Sequence, residues 1–358
     1  MAESTEQEQD SQQPGRERDR VISHTQRVRA LEVPGSLRHE GVDGQRNPGL
    51  PLDLGWVREV RVNRAAVEQR AATLPGRRTV KGAWQVAWLL RAVTLIDLTA
   101  LAGDDTPGNV ERLCAKARRP VRSETLASVG AGDLTIHTGA ACVYHNLVPA
   151  AVAALAGSGI PVAAVSTGFP AGQIPHGLKL EEIGASVRAG AAEIDAVISR
   201  AHVLRGEWSA LYDEVRDFRA ACGPAHLKTI IATGELGTLA NVGMASLVCM
   251  MAGADTVKTS TGKETVNATL PVGLVMLRAV RDYHEHTGYR VGFKPAGGIR
   301  TAKSALDWLI LVREELGERW LRPDLLRLGA STLLTDIERQ LAYHATGRYA
   351  AGHHQPMG

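Results

Sequence analysis

Asp255-Thr256-Val257-Lys258-Thr259-Ser260-Thr261-Gly262-Lys263 is a run of small and β-branched residues carrying one lysine near its end, and a second run of the same kind follows at Val291-Gly292-Phe293-Lys294-Pro295-Ala296-Gly297-Gly298. Between them lies an amphipathic helical pattern over 271–286. A strand, a helix and a strand in that order make a βαβ unit, which sets the two strands parallel. Working outward, β-rich runs recur at 93–99, 139–145, 162–168, 193–199, 227–233, 256–260, 290–294 and 326–329, with helical patterns at 180–189, 208–221, 239–251, 302–316 and 332–343. Eight strands separated by helices predict a closed α/β fold, the (β/α)8 TIM barrel. Two further helical stretches, 63–73 and 81–91, precede the first strand as an N-terminal extension. The competing architecture is an open doubly wound sheet, which announces itself by a glycine-rich nucleotide loop in its first βα turn. Gly130-Ala131-Gly132-Asp133-Leu134-Thr135 lacks the third glycine of that loop. Ser260–Thr265 resembles the end of a P-loop, but Val257 replaces its first glycine and Glu264 its magnesium-binding hydroxyl.

The division that follows is a polar tail over 1–50, one barrel over 51–345 and a short tail over 346–358. The first fifty residues mix charges with Gln, Gly and Pro without either period, as disordered segments do. The chain has 44% hydrophobic but 4% aromatic residues, so its core must be built from Ala, Val, Leu and Ile. A formal charge of +3 with no basic stripe argues against nucleic acid and anionic membrane as partners. The apolar stretch 141–169 is broken by His145, Asn146, Pro149, Ser158 and Pro161, too often for a membrane span. Four scattered cysteines without a paired spacing, and an amino terminus without a signal-like apolar core, point to a reducing cytoplasm.

In this architecture the catalytic groups stand where strands end. Lys258 closes the sixth strand, Lys294 the seventh, and Asp195 lies in Glu193-Ile194-Asp195-Ala196-Val197 on the fourth. A buried ammonium beside a second cation tends to lose its proton, which makes a nucleophilic amine. A carboxylate nearby holds one lysine charged and relays protons through water. The bland alternative is a structural ion pair plugging the barrel. Ala296-Gly297-Gly298-Ile299-Arg300 after the seventh strand and Gly329-Ala330-Ser331-Thr332 after the eighth offer backbone N–H groups and a helix start where such barrels bind phosphate. The alternative there is that the glycines serve turns and Ser331 caps a helix. Glu235 is either a third acid near the pocket or a helix cap.

These lysine segments, with Ile96-Asp97-Leu98-Thr99, Phe169-Pro170-Ala171-Gly172 and Thr233-Gly234-Glu235-Leu236, resemble the deoxyribose-phosphate aldolase family from about Trp84 to Leu341. The long lead-in and the tail Thr346-Gly347-Arg348-Tyr349-Ala350-Ala351 resemble its longer, eukaryote-like branch. The resemblance implies a class I aldolase needing no metal or other cofactor, a lyase in deoxynucleoside catabolism that cleaves 2-deoxy-D-ribose 5-phosphate to glyceraldehyde 3-phosphate and acetaldehyde. It implies that Lys258 forms the Schiff base, Lys294 lowers the pKa of that amine, and Asp195 works with a water in proton transfer. It further implies that Gly262, Gly297, Gly298, Ser331 and Thr332 hold the phosphate and that Asp97, Thr261 and Lys263 line the pocket. Cys142 matches a cysteine near the substrate, and Tyr349 stands closest to the terminal tyrosine that reaches the site in some members. Partners are then small phosphorylated sugars and aldehydes, and a homo-oligomer is compatible with them. Two alternatives stay open at this point: another lysine-dependent aldolase or transaldolase, and a non-catalytic sugar-phosphate-binding barrel.

Overall fold

The computed structural model describes residues 46–77 and 79–351. Of the tail expected over 1–50, residues 1–45 lie outside the described residues. Eight parallel strands follow one another as β1 (Ile96–Thr99), β2 (Ala140–Tyr144), β3 (Val162–Ser166), β4 (Glu193–Val197), β5 (His226–Ile230), β6 (Thr256–Lys258), β7 (Gly292–Lys294) and β8 (Leu328–Ala330). Each pairs with its neighbours in sequence, and β1 pairs with β8. Bridges Phe293 to Leu326 and Ala296 to Gly329 bring β7 to β8 and complete the barrel. Helices return the chain between strands, among them Leu239–Met251, Leu270–Thr287 and Ala302–Leu316.

Side chains alternate between two environments along each strand. Leu98, Val143, Ala164, Ile194, Leu227, Val257, Phe293 and Leu328 point outward into one continuous apolar layer shared with the helices. The alternate residues point into the barrel, and its interior is divided. On the β2–β3 side it is a small apolar patch of Cys142, Ala163 and Val165, joined by Leu101, Tyr144 and Phe169. On the other side it is ionic, built from Asp97, Glu193, Asp195, Lys228, Lys258, Lys294 and Arg327, all buried. Buried charges persist only when paired, and this is where the site lies.

The extension ahead of β1 is packed onto the barrel's flank rather than standing off it. Trp56 stacks on Tyr283 at 6.1 Å and meets His286 at 4.5 Å. Asn47, 4% exposed, donates to the carbonyls of Met250 and Ala254, so the chain is already anchored inside the stretch read as tail. Among the described residues no helix is long and apolar enough to cross a membrane.

Candidate active site

The strand register assembles the ionic cluster. Asp195 stands opposite Lys228 across β4 and β5, and Lys258 opposite Lys294 across β6 and β7. Asp195 Oδ2 accepts from Lys258 Nζ at 2.7 Å and from Lys294 Nζ at 2.7 Å, while its Oδ1 accepts from Lys228 Nζ at 2.9 Å. Lys294 also donates to Asp97, whose other oxygen takes Arg327. Arg327 grips Glu193 with both terminal nitrogens, at 2.7 and 3.1 Å, and Lys228 donates to Glu193 as well. Gly329 makes room for this packing. A Cβ there would lie 2.8 Å from that of Ala296 and 3.2 Å from Lys294 Cε.

Three carboxylates thus face four cationic groups, one positive charge more than they balance in an interior that solvates charge poorly. The amine easiest to discharge is the one with least carboxylate company. Lys258 has Asp195 as its one carboxylate partner among the described residues, and a face of its amine lies 6.0 Å from the Phe169 ring centroid. Burial, the largest influence, lowers its pKa; Asp195 opposes that and Lys294 reinforces it, for a net lowering. Lys294 goes the other way. Burial lowers it too, but Asp195 and Asp97 together outweigh burial and keep it charged. Burial raises Asp195, yet Lys228, Lys258 and Lys294 hold it well below the usual carboxylate range.

Above the cluster opens a cavity of about 450 Å³ with Lys258 and Lys294 in its wall. The same wall carries Thr261, Gly262, Lys263, Gly297, Gly298, Ser331 and Thr332, so these sequence-selected residues converge on one space. Gly297 has φ +81°, and a Cβ on it would press within 2.7 Å of Asn267, so both backbone and space call for glycine. Thr332 occupies the cap position of the helix Leu333–Thr346 without a side-chain bond to it, and Ser331 precedes it, so neither hydroxyl is spent on capping.

Some expected members stand elsewhere. Asp97 does not line the pocket; it is fully buried beneath it, with its oxygens taken by Lys294 and Arg327. The amides of Thr261 and Gly262 already donate to Glu264, at 3.0 to 3.2 Å, which leaves that turn shaped by its own carboxylate. Glu235 neither caps nor enters the cavity wall; it pairs with Arg200 at 2.6 Å beside the mouth. Cys142 faces the barrel interior at 1% exposure, its thiol raised by burial. Tyr349 stacks on Tyr343 at 4.6 Å, at the far end of a helix whose start is at the mouth, roughly 20 Å away along its axis. Lys228, Glu193 and Arg327 were not singled out in the sequence. Period-two spacing puts Glu193 on the face of Asp195 and Lys228 inside β5, a signal that was there to be used.

Comparison with known proteins agrees with this geometry. Residues 91–318 match the model of the DeoC/LacD family of aldolases. The deoxyribose-phosphate aldolase of Homo sapiens is 60% identical over 313 residues, 87% of this chain and 98% of that protein, and the Mus musculus protein of the same name is 62% identical over 86% and 98%. A deoxyribose phosphate aldolase structure from Aeropyrum pernix superposes with TM-score 0.52 at 22% identity, over 80% of this chain and all of that one, which bears on the fold alone.

Proposed function

This chain belongs to the DeoC/LacD aldolase family, and from that premise we propose that it is a deoxyribose-phosphate aldolase working through an imine on Lys258. The neutral Lys258 amine adds to C1 of open-chain 2-deoxy-D-ribose 5-phosphate, and loss of water leaves an iminium. Removal of the C3 hydroxyl proton then breaks the C2–C3 bond, whose electron pair flows into the iminium as an enamine. D-Glyceraldehyde 3-phosphate departs. The enamine takes a proton at C2, and water releases acetaldehyde and restores the amine. Asp195 and a water serve the proton transfers, while Lys294, held charged, disfavours a proton on Lys258 before attack.

The observation that carries this reading is the graded company of the cations, with Lys258 the least neutralised and the one whose pKa falls. The loops at Gly297–Gly298 and Ser331–Thr332, with the helix start behind them, form the phosphate end of the cavity. Thr261 and Lys263 line its side, Gly262 shapes that turn, and Asp97 acts from beneath through Lys294. Small phosphorylated sugars and aldehydes are the partners, and four buried free thiols suit the reducing cytoplasm.

A coupled assay for glyceraldehyde 3-phosphate release tests it. Wild type should turn over deoxyribose 5-phosphate, Lys258→Ala should not, and borohydride with acetaldehyde should leave a reduced two-carbon adduct on Lys258. Trapping by dihydroxyacetone in preference to acetaldehyde would instead identify a different donor and sink the proposal.

A further inference from the structure

Lys228 has no place in the steps above, yet it is the one cation among the described residues that reaches all three carboxylates: Asp195 at 2.9 Å, Glu193, and Asp97 at 3.5 Å. Lys294 and Arg327 each reach two. Lys228 is 1% exposed and stands off the cavity wall, so it does not touch a substrate. We propose that Lys228 is a positioning residue for the aldol reaction: by taking Asp195 Oδ1 it turns Oδ2 toward Lys258 and Lys294, and its fixed charge on the shared carboxylate leaves less negative charge to hold a proton on Lys258.

Asp195 has two oxygens and three lysine partners. Oδ2 serves both amines that face the cavity, and without a donor on Oδ1 the carboxylate is free to rotate and spread those bonds over both oxygens. Lys228 itself is locked, because Glu193 holds it as well as Asp195 and Arg327 in turn pins Glu193. Orientation passes inward from Arg327 through Glu193 and Lys228 to the carboxylate that handles protons. Supporting shells of this kind fix the reacting groups to within tenths of an ångström.

The charge acts in the same direction as the geometry. The titratable groups around the cluster are Asp97 on β1, Cys142 on β2, Glu193 and Asp195 on β4, His226 on β5, Lys258 on β6, Lys294 on β7 and Arg327 before β8. Burial keeps Cys142 and His226 on their neutral sides. Removing Lys228 leaves three carboxylates to three cations, and Lys258 then gains by staying protonated. The kinetic consequence rests on the aldolase reading; the titration of Lys258 does not.

The experiment titrates Lys258 by reductive trapping with acetaldehyde and borohydride across roughly pH 5 to 10, and measures kcat and KM for deoxyribose 5-phosphate on the full chain. Lys228→Met should move the trapping midpoint up by about one pH unit or more, and lower kcat at neutral pH about tenfold or more with KM changed little. Lys228→Arg should bring the midpoint back toward wild type. Should Lys228→Met not fold, the charge-balanced pair Lys228→Met with Glu193→Gln takes its place, and kcat should still fall because Asp195 Oδ1 lacks its donor. Folded variants whose trapping midpoint and kcat coincide with wild type overturn the proposal. Wild type that is trapped at Lys258 but does not cleave deoxyribose 5-phosphate would fault the substrate reading and leave the midpoint shift to judge Lys228.

Discussion

Lys258 and Lys294 are the same residue type at paired positions on adjacent strands, yet the protonation of their amines is driven apart. Lys294 touches Asp97 and Asp195, whereas Lys258 touches Asp195 and looks onto the Phe169 ring. Lys294→Met should therefore act through its neighbour. With that charge gone, Lys258 keeps its proton to higher pH, so the acidic limb of kcat/KM moves up, and the rate at neutral pH falls about a hundredfold or more because Asp195 also loses a partner. A limb that stays in place would show that Lys294 serves something other than the amine's protonation. Gly329 is a second residue-scale test. Gly329→Ala puts a methyl 2.8 Å from Ala296 Cβ and 3.2 Å from Lys294 Cε, so Ala296 must move and the Lys294 side chain give by a few tenths of an ångström. Displacing a catalytic group by fractions of an ångström lowers kcat, here by about tenfold with substrate affinity less affected; equal kcat for Gly329→Ala and wild type would refute that packing role.

At the scale of elements, the proposed phosphate end of the cavity turns on the start of the helix Leu333–Thr346. Thr332 stands at its start without a side-chain cap bond and lines the cavity with Ser331, at the positive end of the helix dipole. An aspartate at position 332 would cap the helix from within and repel a phosphate. Thr332→Asp should raise KM for deoxyribose 5-phosphate by about tenfold or more and scarcely alter whatever rate unphosphorylated deoxyribose gives, since the two differ only at the phosphate. Parallel losses on both substrates would place the phosphate elsewhere. Elements are legible in proportion to their length as well as their period. The helices Leu239–Met251 and Ala302–Leu316 are readable to the residue, whereas Val148–Leu155, eight residues of mostly Val, Ala and Leu with a proline in the first turn, is too short and too apolar to tell from a strand. The first strand was read as starting at 93, whereas the helix Ala83–Thr94 runs on to Thr94, since an Ala-Val run fits either period.

For the whole molecule, the barrel's interior is what the sequence showed least. Alternation tells which residues point inward on one strand, but which inward residues meet is decided by register, and register was not readable. Asp195 opposite Lys228, and Arg327 brought beneath Asp97 and Glu193, exist only once eight strands have closed. The same closure ties stability to pH. Burial raises Glu193, but Arg327 and Lys228 outweigh it and bring it to about 2; Asp97 and Asp195 are likewise depressed. A carboxylate whose folded pKa lies below its unfolded value of about 4 adds stability above that value and loses it as pH falls toward the folded one. Denaturant midpoints should thus be level from neutral pH to about 5, then fall steeply below about 4. Glu193→Gln should start from a lower plateau, with Lys228 and Arg327 short of a partner, and then fall less between about pH 4 and 2, having one fewer depressed group to protonate. If the variant kept the wild-type plateau and the wild-type acid slope, the ionic plug would be passive filling, and the stability of the barrel would rest on its apolar layer alone.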